Sequence, residues 1–222
     1  MKPKQIVRLG AAAISDALGK RGAMDHDMQC RSANAAMAGP AFTVQVHTAD
    51  ILMISRALSE CPNGHVLVID AQGELNTAVW GELTTYCALG KGLAGIVIDG
   101  AIRDAARIAE SQLPVYARAV VPNGGGAEYL GEINITVSCG GQVVRPGDWL
   151  IGDRDGVVVV PAEKLDSVLI LADRIVKAEK ILEKKIRKGA DLGELLRIQA
   201  KIESKQGEIF VPQLRAENGE DS

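Results

Sequence analysis

Two dipeptides carry most of the chemistry in this 222-residue chain: Gly81-Glu82, ahead of a helical pattern, and Arg103-Asp104, directly after the apolar run LAGIVIDGAI. A helix starting after Gly81 leaves the amides of Glu82, Leu83 and Thr84 without intrahelical acceptors. Those amides and the positive end of the helix dipole make a seat for a carboxylate. A glycine at 81 lets a ligand approach the backbone with no Cβ in the way. Arg103 offers a planar fork matched to a carboxylate, and Asp104 a hard oxygen ligand for a divalent cation. Glu82 adds a second acid. Together they describe a place for a small 2-keto acid beside Mg²⁺ or Mn²⁺, the metal keeping several waters. A purely structural account uses the same residues: Asp104 caps the helix after it, Arg103 is solvated, and Gly81 makes a turn.

The spacing predicts what brings these residues together. HVLVIDA (65–71) and LAGIVIDG (93–100) are short and almost continuously apolar, as strands buried on both faces are. Their endings, Val68-Ile69-Asp70 and Val97-Ile98-Asp99, echo each other 29 positions apart (99 − 70). With a helix from Glu82 to Leu89 between them, they form one βαβ unit of parallel, adjacent strands. Ligands of open parallel sheets gather beyond the carboxyl ends of the strands, so both dipeptides reach the same edge.

The rest of the chain reads as scaffold. Helical spacing of Ile6, Val7, Leu9, Ala13, Ile14 and Leu18 predicts a helix over 4–20 that stops at Gly19, followed by a loop over 21–38. GPAFTVQVHT (39–48) alternates like a half-buried strand, with Thr43 and His47 on its polar side. A helix over 50–59 is capped by Asp50. A helix through 105–109 ends before Pro114, and PVYARAVV (114–121) is a strand. The glycine-rich PNGGGAEYLGEIN (122–134) has no P-loop pattern and reads as a loop or hairpin rather than a phosphate cradle. NITVSCG (134–140) alternates, and short strands with turns at 146–148 and 153–156 follow. Asp153 and Asp155 could bind a cation, although a tight turn explains them better. Amphipathic helices over 162–188 and 191–205 are expected to make oligomer contacts. With no repeat and no long linker, residues 1–210 read as a single domain and 211–222 as a polar tail.

Composition narrows the function classes. Aromatics make up 3% of the chain, so Val, Ile, Leu and Ala must build the core, which suits a sheet covered by helices. A net charge of −3 argues against a nucleic-acid surface built on bulk charge. Cys30, Cys61, Cys87 and Cys139 have no zinc-like spacing and read as reduced thiols. No apolar run approaches the ~18 residues that span a bilayer. A cytoplasmic protein with no membrane role is the expectation.

Several motifs also carry a resemblance. Trp80-Gly81-Glu82-Leu83, the segment Gly92-x-x-Gly95-Ile96-Val97-Ile98-Asp99-Gly100-Ala101-Ile102-Arg103-Asp104, Pro146-Gly147-Asp148 and Asp155-Gly156-Val157-Val158-Val159-Val160-Pro161 resemble one family over roughly residues 5–180. It contains the 4-hydroxy-4-methyl-2-oxoglutarate / 4-carboxy-4-hydroxy-2-oxoadipate aldolases and the regulator of ribonuclease E activity. The resemblance implies an α/β/α sandwich similar to the swivelling phosphohistidine domain, with C-terminal helices, assembled as a homotrimer or hexamer with sites between subunits. It implies a divalent-metal-dependent class II pyruvate aldolase with oxaloacetate decarboxylase side activity. In that frame Arg103 binds the pyruvyl carboxylate, Asp104 ligates the metal, and the amides of Leu83 and Thr84 help bind substrate. Glu82, and Glu179 from the neighbouring subunit's C-terminal helix, would reach the metal through water. One departure stands out: where the aldolases carry an acid three residues after the metal-binding Asp, this chain has Arg107. A non-catalytic regulator acting on a protein partner, or a related lyase for another 2-keto acid, are the alternatives.

Overall fold

A computed structural model describes residues 1–205. The chain opens with α1 (Pro3–Val7) and α2 (Ala11–Ala17), where a single helix was expected. Gly10, at φ 81°, turns the backbone between them, and the first amide of α2 donates to Asp153 Oδ2 at 2.7 Å. The loop expected at 21–38 holds the two-residue β1 (Gln29–Cys30) and the start of β2 (Met37–Gln45). Then come α3 (Leu52–Glu60), β3 (Val66–Trp80), α4 (Glu82–Gly90), β4 (Gly95–Ile102), α5 (Ala105–Glu110) and β5 (Val115–Val120). Short strands follow: β6 (Glu132–Ile133), β7 (Val137–Cys139), β8 (Gln142–Val144), β9 (Trp149–Asp153) and β10 (Gly156–Val160).

The principal sheet is mixed, in the order β1-β5-β4-β3-β2-β9-β10, with β6 also pairing β2. Strands β2 to β5 are mutually parallel, and β1, β9 and β10 run antiparallel to their neighbours. The expected βαβ unit is present: Val68, Ile69 and Asp70 lie opposite Val97, Ile98 and Asp99 in register. Both faces are buried. Leu67, Ile69, Ile96 and Ile98 pack with Ile54 and Leu58 of α3, Ala88 of α4 and Ile108 of α5. The alternate residues Val66, Val68, Val97 and Tyr116 pack with Met24, Met28, Val137, Cys139 and Val144, so the β7–β8 hairpin and the 24–28 segment cover that face. Thr43, expected on the polar side of its strand, is fully buried against the 134–135 segment: its carbonyl accepts the Asn134 amide and its hydroxyl donates to the Ile135 carbonyl. Asp153 accepts backbone amides on both carboxylate oxygens, from Ala11 and Asp155, so the 153–156 segment is a turn, as expected.

By their contacts the residues divide into two units, Met1–Arg174 and one beginning at Ile175. The first contains the whole sheet and the start of α6 (Leu165–Ile186), whose Val168, Leu169 and Ala172 are buried. The second carries the rest of α6, α7 (Leu192–Leu195) and helical backbone at 198–205. The helix expected over 191–205 is interrupted at Arg197, which adopts φ 50°. Ile181, Ile186, Leu192, Ile198 and Ile202 are exposed on this unit. The tail expected at 211–222 lies outside the described residues. No helix among the described residues is long and apolar enough to cross a membrane.

Candidate functional site

Strand β3 does not end where its apolar run ends. After Asp70 it leaves register through Gln72 and Gly73, both at positive φ, then rejoins β4 so that Ala78 faces Ala101 and Trp80 faces Ile102. That extension makes Gly81 and Arg103 the next positions on two neighbouring strands. The Arg103 amide donates to the Trp80 carbonyl at 2.9 Å, and helix α4 begins at once. Its first turn is locked from within: the Gly81 amide donates to Thr84 Oγ1 at 3.0 Å, and the Thr85 hydroxyl bridges the Trp80 indole N–H and the Gly81 carbonyl, each at 2.8 Å.

Gly81, Glu82, Leu83, Thr84, Arg103 and Asp104 line one cavity of about 440 Å³, as the sequence led us to expect. Ile51, Ala78, Val79, Trp80, Gly124 and Gly125 complete its wall. The two glycines come from the segment read only as a loop; their consecutive run was the available signal. Glycine lies against both ends of the Arg103 side chain. A Cβ on Gly124 would lie 2.6 Å from Arg103 Nη1, and one on Gly81 would lie 3.2 Å from Arg103 Cγ and 2.6 Å from Asp104 Oδ2. The guanidinium therefore lies between two bare stretches of backbone. At Gly81 the reason is close approach alone, since φ −160° is ordinary extended backbone.

Asp104 departs from the structural alternative. It sits at the N-cap of α5 in the left-handed region (φ 57°, ψ 36°), which costs a non-glycine residue of order 1 kcal/mol or more. Its side chain makes no cap bond to α5. Instead Oδ2 accepts the Glu82 amide at 3.0 Å, across the gap to α4. One of the three amides expected to be free for a ligand is thus occupied. Those of Leu83 and Thr84 have no acceptor among the described residues.

The Glu82 carboxylate turns to the other side of its helix. Oε1 accepts the Tyr86 hydroxyl at 3.0 Å and lies 3.7 Å from Arg107 Nε, while Arg107 Nη1 is 3.7 Å from Glu110. The bond to Glu82 raises the Tyr86 phenol pKa. Glu82 therefore stands between the main cavity and a groove of about 410 Å³ lined also by Tyr86, Leu89 and Arg107. Glu179 is exposed on the second unit, and the role expected of it needs a further subunit.

The donor set fits a hard divalent cation that retains water. Among the described residues no cluster of three acid, His or Cys side chains could enclose a metal. Asp104 keeps Oδ1 clear of any protein donor among those residues while Oδ2 is held by the Glu82 amide, so its carboxylate has a fixed direction. One oriented carboxylate with open space before it is a usual anchor for Mg²⁺.

Comparison with known proteins places this geometry in a family. Residues 11–159 match the RraA-like family, described as aldolase/RraA. A protein of Halalkalibacterium halodurans named "Putative 4-hydroxy-4-methyl-2-oxoglutarate aldolase" is 36% identical over 165 residues, 74% of this chain and 79% of that protein. The RNA-processing inhibitor RraA from Thermus thermophilis is similar with a TM-score of 0.63 at 30% identity, over 68% of this chain and 91% of its own. RraAS2 of Streptomyces coelicolor, described as an unusual member of the RNase ES inhibitor RraA protein family, reaches a TM-score of 0.72 at 27% identity, over 82% and 96%. Sequence match and shared fold agree: the chain belongs to the RraA-like, aldolase/RraA family.

Proposed function

We propose that this chain is a divalent-metal-dependent class II pyruvate aldolase acting on a 2-keto acid of the 4-hydroxy-4-methyl-2-oxoglutarate or 4-carboxy-4-hydroxy-2-oxoadipate type, with oxaloacetate decarboxylation as a side reaction. The observation that carries this is the convergence of Arg103, Asp104 and the unpaired amides of Leu83 and Thr84 in one cavity. Both reactions break the bond between the carbons α and β to the keto group and leave its electrons as pyruvate enolate, which takes up a proton. The other fragment leaves as CO₂ from oxaloacetate or, once the C4 hydroxyl gives up its proton, as a second keto acid. Mg²⁺ or Mn²⁺, held by Asp104, would supply Lewis-acid stabilisation of the negative charge. Arg103 grips the keto acid's carboxylate, and the α4 amides receive its oxygens. Gly81 and Gly124 let the substrate and the guanidinium lie close to the backbone. Glu82 would reach the metal through water, for which its carboxylate has to swing from Tyr86 and Arg107 toward the cavity. The reading includes assembly as a homotrimer or hexamer, with Glu179 of a neighbouring subunit near the metal, and a fold related to the swivelling phosphohistidine domain.

The purified chain with Mg²⁺ or Mn²⁺ is expected to release pyruvate from oxaloacetate or from the hydroxy-oxo acids, and Asp104→Ala to abolish release while leaving the circular dichroism spectrum unchanged. Failure of all three substrates with either metal sinks the proposal. A second reading, a non-catalytic regulator that binds a protein partner, draws on the engagement of Glu82 by Arg107 and on Leu83, 81% exposed at the cavity mouth. Capture of an RNA-processing partner together with no metal-dependent turnover favours it. Turnover of a different 2-keto acid alone favours a related lyase.

A further inference from the structure

The cavity wall formed by Gly124 and Gly125 belongs to a segment with little regular structure, yet Gly124 lies directly against the Arg103 guanidinium. Two tethers secure it. On one side Ala78 donates to the Asn123 carbonyl at 2.8 Å and accepts the Gly125 amide at 3.0 Å. On the other, Ile51 donates to the Gly126 carbonyl at 2.8 Å and Gly126 donates to the Ala49 carbonyl at 2.9 Å. Asp50 lies at the centre of this second tether, 2% exposed. Its Oδ2 accepts the amides of Glu128 at 2.7 Å and Tyr129 at 3.1 Å, and its Oδ1 accepts the amide of Leu52 at 2.8 Å.

We infer that Asp50 is a positioning residue for the site: its buried carboxylate ties the glycine-rich wall to the start of α3 and so fixes the surface on which the Arg103 guanidinium rests. A carboxylate is the side chain that suits this place, because it presents acceptors in both directions and no donor. An amide of the same size has one accepting oxygen, and its NH₂ would face backbone N–H groups on the other side. Burial opposes the charge, but the three backbone amides and the nearby His47 outweigh it and hold the Asp50 pKa below the usual carboxylate value. The side chain is therefore ionised at neutral pH, where its hydrogen bonds are charge-assisted.

The anchoring itself stands apart from the aldolase reading, while its effect on substrate rests on that reading; the test separates them. In the full-length wild-type chain, amide hydrogen exchange at Glu128 and Tyr129 is expected to be as slow as at Leu52. In Asp50→Asn it is expected to accelerate at least about tenfold across 124–129, with β3 and β4 unchanged, since the loss of one such bond is worth roughly that factor. Pyruvate-yielding turnover in the variant should show KM raised about tenfold with kcat within about threefold, because Arg103 grips substrate and transition state alike. Wild-type amides at 128 and 129 that exchange like open loop overturn the anchor, even if Asp50→Asn fails to fold. A loosened loop with unchanged KM overturns the positioning role. A wild-type chain without turnover sinks the aldolase reading, and the exchange result still decides the anchor.

Discussion

Gly81→Ala is the most searching single change at the candidate site. Its Cβ would lie 2.6 Å from Asp104 Oδ2, whereas an ordinary carbon–oxygen contact begins near about 3.3 Å. The oxygen must retreat by roughly 0.7 Å, which takes its 3.0 Å bond to the Glu82 amide past the useful limit of about 3.5 Å. A hydrogen bond to a charged group contributes about 1.5–3 kcal/mol. The Asp104 side chain is 41% exposed, so water replaces much of that bond and the net loss of stability is about 1 kcal/mol. For a unit of this size that lowers the melting temperature by roughly 2–4 °C. The metal should suffer more, because a released carboxylate no longer points one way; loss of such orienting contacts costs about 10–100-fold in metal affinity. Calorimetric titration with Mn²⁺ beside a thermal melt reads both quantities. Gly90→Ala, where a Cβ meets nothing within 4 Å, is the control and should change neither for the worse. If Gly81→Ala binds Mn²⁺ within twofold of wild type, Asp104 is not held as the metal ligand by this contact and the site description is wrong.

Two other changes test the surroundings. Gly124→Ala places a Cβ 2.6 Å from Arg103 Nη1, the far end of a flexible side chain, so the fold should survive while KM for the keto acid rises about tenfold and kcat moves little; steady-state kinetics decide. The depressed pKa of Asp50 has a stated pH consequence: a folded-state value below the unfolded one stabilises the fold in full above the unfolded value of about 3.9, and that contribution is lost as pH falls through the folded value. The difference in urea stability between wild type and Asp50→Asn should therefore hold steady from about pH 7 to pH 5 and shrink only in the acid range below about 3.9. A difference that shrinks between about pH 7 and pH 5 refutes this account of Asp50.

Much of the site was legible in the chain because its logic is local. The apolar endings at 68–70 and 97–99 dictate two interior strands, the helix between them makes those strands parallel, and parallel strands bring their carboxyl ends to one edge. Gly81 and Arg103-Asp104 could be placed at that edge from the sequence. Other features depended on distant partners. The helix over 4–20 breaks at Gly10, and the first amide of the second half is taken by Asp153, far along the chain. Thr43 is buried against residues 134–135, far along the chain, which take its carbonyl and its hydroxyl, and no alternation within 39–48 reveals that. The return of Ala78–Trp80 to β4 after the register shifts on either side of Glu74 is a pairing choice and carries no local pattern.

The same division runs through the chemistry. Residue types alone determined that this chain offers an arginine fork, a hard oxygen ligand and a glycine-led helix start, because those properties belong to single side chains and to short backbone segments. Tertiary structure decided how they are used. It turned Asp104 onto the Glu82 amide instead of its own helix, drew Glu82 toward Tyr86 and Arg107, and set Gly124 under the guanidinium with Asp50 behind it. Apart from the Glu82–Tyr86 pair, one turn apart on α4, each of these is a contact between residues distant in sequence, and its geometry is set by the packing of the sheet.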